Sequence, residues 1–212
     1  MQLFRIPVEL IRPRANLLKT ILSAIDEQKL RIENGDIVAI ASKAVATVQN
    51  QMTRLDSVKP SGRARKLART YDLEPSFVEV VLREADCVYG GVSKALLTLK
   101  GNVLTANSGV DHKNAPKGHA VMWPKEPFRT ADELRRKICE VTGKRVGVLI
   151  VDSRVTPLRL GTTGLALAVA GFEPVKDHRG EKDLYGNTIT ITRHAVADDL
   201  ASAAHVLMGE SG

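Results

Sequence analysis

The segment Arg145 to Val151 runs without a polar break from Val146 into the carboxylate of Asp152. An apolar run of strand length bounded by polar residues reads as a buried strand. A chain that contains one must supply other elements to cover it. Ile37-Val38-Ala39-Ile40-Ala41 is a second such run, entered from an Asn34-Gly35 turn.

Helical and hairpin signals fill the intervals. Leu18, Ile21, Leu22 and Ile25 fall at helical spacing between Ala15 and Gln28. Pro60-Ser61 opens a basic helix to about Thr70, and Pro75 opens another carrying Phe77, Val78, Val81 and Leu82. Lys94 to Thr105 reads as a hairpin turning at Lys100-Gly101-Asn102. Thr130-Ala131-Asp132-Glu133 has the capping-box pattern, and Gly143 is placed to end the helix that follows. Leu3 to Val8 reads as a short strand. Gly161 to Gly171 is a stretch of small residues, and Thr188 to Thr192 alternates β-branched side chains. Val196 to Met208 reads as an Ala-rich helix. Strands and helices mix without steady βαβ alternation, which predicts an α+β fold. The 212 residues suit one domain or two small intertwined ones.

Composition narrows the function classes. At 43% hydrophobic and 4% aromatic, the core must be built from aliphatic side chains. No apolar stretch is long enough to span a bilayer, and the N-terminus lacks the apolar region of a signal peptide. Cys87 and Cys139 lie far apart and suit no metal knuckle; they are expected to be reduced, buried thiols in a cytoplasmic protein. The net charge of +7 suits a nucleic-acid partner, an anionic small ligand, or plain solubility. Arg63, Arg65, Lys66 and Arg69 form the dense basic cluster. With only Tyr71 nearby to stack on a base, it reads as a solvated helix face.

Three segments are candidates for chemistry. Asp152 at the exit of its strand, with Ser153 beside it, offers the oxygen ligands that Mg²⁺ or Mn²⁺ prefer; a turn-capping aspartate is the plainer reading. Asn107-Ser108-Gly109-Val110-Asp111-His112-Lys113-Asn114 collects amides, a carboxylate, a His and a Lys, and Gly109 would admit a ligand close to the backbone. A polar surface loop is the alternative there. Asp111 and Asp152 together would suit a shared divalent ion clamping phosphates. Asp177 to Gly186 is the third segment. Arg179 and Lys182 suit a carboxylate or phosphate, or simply a solvated loop. No Walker A motif, dinucleotide fingerprint, HExxH or GxSxG is present, and the five histidines show no ligand spacing.

In chain order these segments resemble the coenzyme F420-0:γ-glutamyl ligase family. Asn34-Gly35-Asp36-Ile37-Val38 leading to Ser42-Lys43 resembles its GD-hydrophobic-SK strand. Asn107-Ser108-Gly109-Val110-Asp111 with Asn114 is similar to NAG(V/I)DxSN, and Val148 to Ser153 to VIITDT or VIISDS. Arg159 and Gly161, Asp177 to Gly186, and Val196 to Glu210 continue the likeness over nearly the whole chain. The resemblance implies an α+β intertwined homodimer that uses GTP to join L-glutamate to F420-0 or a related acid. It implies Mg²⁺ or Mn²⁺ as cofactor, with K⁺ as a further ion. Asp111, Asp152, Ser153 and Glu210 would then be metal ligands, and Ser42, Lys43 and Asn114 nucleotide contacts. It identifies no catalytic acid or base.

The chain also departs from the pattern. Thr47 stands where the family has a second Lys, Asn50 and Leu10 where it has Gly, and Arg154-Val155-Thr156 where it has x-Gly-Arg. The sequence stops at Gly212, just past Glu210, where typical members continue. These departures keep a non-catalytic paralogue, binding a ligand or partner, as the alternative to a ligase.

Overall fold

The two apolar runs pair with each other. In the computed structural model, which describes residues 1–156 and 158–210, β1 (Ile37–Ala41) lies parallel to β7 (Gly147–Val155), in register from Ile37 opposite Gly147 to Ala41 opposite Val151. β8 (Thr162–Ala170) adds antiparallel to the other edge of β7, giving the order β1-β7-β8. The stretch of small residues is therefore a strand. Gly164 explains the composition: a Cβ there would lie 2.3 Å from the Ala201 carbonyl oxygen of α6 (Val196–Met208), so the helix backbone sits directly on the sheet.

Both faces of this sheet are covered. Val148, Ile150, Leu165 and Leu167 meet α1 (Leu17–Glu27) through Leu17 and Ile21, and α5 (Pro127–Thr142) through Leu134 and Ile138. Leu149 and Val151 meet α6 through Ala197, Ala201 and Ala204. Each buried aliphatic side chain stabilises by about 1.5–3 kcal/mol. That gain lets the strand carry a charged residue into the interior.

A second core lies beside the first. α3 (Gly62–Tyr71) and α4 (Pro75–Glu84) pack Ala64, Ala68, Phe77, Val78 and Val81 against Leu96, Val110 and Ala120. Leu96 belongs to the antiparallel sheet β3 (Cys87–Val92), β4 (Ala95–Lys100) and β5 (Val103–Ala106). α2 (Ser42–Val48) follows β1 directly, and β2 (Met52–Arg54) pairs with β6 (His119–Val121). β9 (Lys176–Asp177) and β10 (Arg193–His194) form a small pair at the base of an exposed excursion. The fold is α+β, as expected.

Four expectations change. Residues 3–8 form no strand, and Leu3, Phe4 and Val8 are exposed: nothing among the described residues offers them a ladder. α5 starts at Pro127, so Thr130 sits inside it and bonds back to the Glu126 carbonyl at 3.2 Å instead of capping. Proline at the first turn decides the start. Cys87 is exposed, on the outer strand of its sheet, while Cys139 is half-buried; both are free thiols. Asp152 lies inside β7 and not at its exit, because β7 continues to Val155 against β8.

Candidate functional site

The parallel register builds the site. Ala41 opposes Val151, so the next residues on the two chains, Ser42 and Asp152, are neighbours. The Ser42 hydroxyl donates to Asp152 Oδ1 at 2.7 Å, and both residues are buried. Lys43, the following residue of α2, places its ammonium 3.6 Å from the same oxygen and donates to the Gly109 carbonyl at 2.9 Å. Trp123, just beyond β6, donates its indole N–H to Asp152 Oδ2. A buried carboxylate costs several kcal/mol unless paired and hydrogen-bonded. Here one hydroxyl, one indole N–H and one ammonium meet that requirement.

The 107–109 turn closes over this cluster. Asn107, Ser108 and Gly109 all have positive φ. The Asn107 side chain accepts from the Leu96 backbone N–H at 2.8 Å, and Ser108 N–H donates to the buried Thr98 hydroxyl at 2.7 Å. What approaches Gly109 closely is an indole ring: a Cβ there would sit 2.0 Å from Trp123 Nε1. The expectation of a ligand at this glycine gives way to a packing contact. Two buried polar atoms near these segments, Ser108 Oγ and Arg154 Nε, have no hydrogen-bond partner among the described residues.

Other candidates lie further out. Asp111 pairs its backbone with Val121, two residues before Trp123, and its carboxylate accepts from Lys113 N–H at 2.9 Å. Ser153 is half-buried opposite Gly164. Asn114 donates to the Glu210 carbonyl oxygen at 3.4 Å. Glu210 Oε1 accepts from Thr162 at 2.5 Å and lies 3.0 Å from His205 Nε2. Those contacts, the Thr162 hydroxyl first, hold the Glu210 carboxyl below its ordinary pKa. Thr162 opposes Val155, three residues along β7 from Asp152, roughly 10 Å at strand rise.

The structure thus joins Ser42, Lys43 and Asp152 in one cluster, and Asn114 and Glu210 in another. Among the described residues no three His, Cys, Asp or Glu side chains converge on one point. In the third segment, Arg179 is engaged by Asp177 through several hydrogen bonds, and Lys182 by Thr188 at 2.7 Å. Neither cation faces the Asp152 cluster through any of these bonds. Trp123 is the member that sequence reasoning missed. Its signal was present: it is the only tryptophan of the chain and directly precedes Pro124 at the end of a strand.

Fold and site together define an α+β protein that carries a buried, hydrogen-bonded carboxylate where two strands of its mixed sheet meet the segment that follows β6. The F420-0:Gamma-glutamyl ligase family model matches residues 5–212. A Coenzyme F420:L-glutamate ligase of Methanopyrus kandleri is 38% identical over 202 residues, covering 95% of this chain and 78% of the relative. The protein of that name from Methanocaldococcus jannaschii is 40% identical over 181 residues, 85% of this chain and 72% of the relative. The one from Archaeoglobus fulgidus is 35% identical over 191 residues, 90% and 77%. The chain belongs to the F420-0:gamma-glutamyl ligase family.

Proposed function

We propose that this protein joins L-glutamate to coenzyme F420-0, or to a related acid, through an amide bond. The observation that carries the reading is family membership over nearly the full chain, together with the Ser42–Lys43–Asp152 cluster on its parallel strands. In this reading the acceptor carboxylate takes the γ-phosphoryl group of GTP to give an acyl phosphate and GDP, and the glutamate amine then displaces inorganic phosphate and loses a proton.

The donor set fits Mg²⁺ or Mn²⁺ of a particular kind. Asp152, Asp111, Ser153 and Glu210 offer hard oxygen atoms, but no protein cage of three acidic groups exists among the described residues. Mg²⁺ is commonly held by one or two carboxylates, with phosphates and water completing the shell. A bound divalent cation would neutralise the phosphoryl oxygens of the nucleotide. K⁺ belongs to the same proposal as a monovalent companion. For the chain itself, Ser42 and Lys43 hold Asp152 in place, Lys43 supplies positive charge beside it, and Asn114 reaches toward the nucleotide.

A homodimer is part of the reading. Leu184, Tyr185 and Ile191 on the excursion between β9 and β10, and Leu158 and Leu160 before β8, are almost fully exposed. Large apolar side chains so exposed favour a second copy as their cover. No helix among the described residues is long and apolar enough to cross a membrane, and both thiols are free. The reading places the enzyme in the cytoplasm.

A binding-only member is the second reading, favoured by the pairing of Asp152 entirely within the chain and by Thr47. Melting with GTP and Mn²⁺ separates the two. The ligase reading expects the ligands to raise Tm in the wild type and not in Asp152→Asn. An equal rise in both would remove Asp152 from the site.

A further inference from the structure

Asp152 is held by two donors on opposite oxygens, and only one comes from a segment of the sheet. Ser42, the residue that follows β1 and opens α2, donates to Oδ1 at 2.7 Å. A single donor would leave the carboxylate plane free to turn about it. The indole N–H of Trp123 on Oδ2 removes that freedom. Indole is a donor only, so it cannot itself take a cation from the carboxylate. An ionised carboxylate offers about four acceptor positions. Ser42 fills one on Oδ1, where the Lys43 ammonium also stands, and Trp123 fills one on Oδ2, which leaves the second lone pair of Oδ2.

The ring is itself fixed. Trp123 is buried in the main core. Gly109 presses against it so closely that any Cβ would overlap the ring. The Lys100 ammonium, held by Glu84, lies 5.4 Å from the ring centroid on a cation–π contact. The same Gly109 gives its carbonyl to Lys43, whose ammonium stands 3.6 Å from Oδ1. Ring, turn and cation therefore form one closed circuit around one carboxylate.

We infer that Trp123 is a positioning residue for Asp152, fixing the carboxylate so that the remaining lone pair of Oδ2 meets a divalent cation. The inference rests on the reading of Asp152 as a cation ligand. Partners one step removed from a metal commonly change its affinity by 10–100-fold when lost.

The chain has a single tryptophan, so its fluorescence reports this residue alone. Emission of the metal-free protein is compared first in wild type and Asp152→Asn; the contact requires a shifted spectrum. With GTP present to complete the cation's shell, Mn²⁺ is then titrated into wild type, Asp152→Asn, Trp123→Phe and Trp123→His, with binding read by calorimetry and folding by circular dichroism. Trp123→Phe removes the N–H and keeps an aromatic ring; Trp123→His keeps a ring N–H and serves should the Phe variant not fold. The expected result is at least about tenfold weaker Mn²⁺ binding in Trp123→Phe, partial recovery in Trp123→His, and loss in Asp152→Asn. Unchanged or tighter binding in both Trp123 variants, with Asp152→Asn still defective, overturns the positioning role while leaving the cation reading intact. No Mn²⁺ binding by the wild type sinks the cation reading, and the positioning role falls with it even if the emission shift is seen.

Discussion

Ser42 and Asp152 are next neighbours across the only parallel pair found among the described strands, and a 2.7 Å hydrogen bond joins them. The contact needs no loop to arrange it: two apolar strands in register deliver a hydroxyl to a carboxylate. Ser42→Ala should cost about 1.5–3 kcal/mol, the range for hydrogen bonds to charged groups. Lys43→Met should cost more, about 3–5 kcal/mol, because it strands a buried charge. The double variant Lys43→Met/Asp152→Asn should regain part of that loss. Urea denaturation of wild type, Lys43→Met, Asp152→Asn and the double variant as a double-mutant cycle checks the coupling; strict additivity would mean that the pair does not interact.

Gly109 is set by a ring and by its backbone together. Its φ is +69°, and a Cβ would lie 2.0 Å from Trp123 Nε1. Gly109→Ala should destabilise by about 3 kcal/mol, combining overpacking with left-handed strain. Gly118 has φ +77° with open space around it. Gly118→Ala should therefore cost only about 1 kcal/mol. Equal melting temperatures for the two variants would contradict the packing shown at Gly109.

Ser108 offers a test with the opposite sign. It is fully buried and its hydroxyl has no hydrogen-bond partner among the described residues. Ser108→Ala should be neutral or stabilise by up to about 1 kcal/mol, since it removes a buried polar group with nothing to bond. The resembled motif has Ala at this position. A clear loss of stability in chemical denaturation would show that the hydroxyl is engaged.

Glu210 carries a pH signature. The Thr162 hydroxyl, with help from His205 and the charge of Lys113, holds its carboxyl below the ordinary 4.5. A folded pKa below the unfolded one adds stability above about 4.5 and loses it as pH falls through the folded value. Glu210→Gln should thus be less stable than wild type near pH 7, with the gap closing as pH falls below the ordinary 4.5. Denaturation midpoints across that range decide it; a gap that widens with acid would reverse the sign.

The apolar side chains outside the core predict assembly. Leu184, Tyr185 and Ile191 protrude on one excursion. Light scattering should find a dimer, and Leu184→Asp with Tyr185→Asp should shift it toward monomer while circular dichroism is unchanged. A monomeric wild type would leave these residues without the cover proposed for them.

Much of the architecture was legible in the sequence because local signals were strong. The two apolar runs, the Pro60 and Pro75 helix starts and the turn at Lys100-Gly101-Asn102 all appear where periodicity and turn chemistry place them. The 161–171 stretch was harder, since Gly164 and its small neighbours are chosen by the approach of α6, a tertiary demand. Leu3 to Val8 has strand-like composition but no partner among the described residues. At the site, Ser42, Lys43 and Asp152 could be named from motifs. That Trp123 completes them could not, because its reach to Asp152 depends on how β6 and its continuation lie against β7. The role expected of Gly109 shifted for the same reason.

Product formation decides whether the protein is a ligase. The purified protein is incubated with GTP, Mn²⁺, L-glutamate and F420-0, and the products are read by mass spectrometry beside the Asp152→Asn variant. The wild type should yield F420-0 carrying an added glutamyl residue, and the variant none. No glutamylated product from F420-0 or related acids, from a folded protein that also fails to bind GTP, would contradict the ligase reading and leave a non-catalytic member of the family.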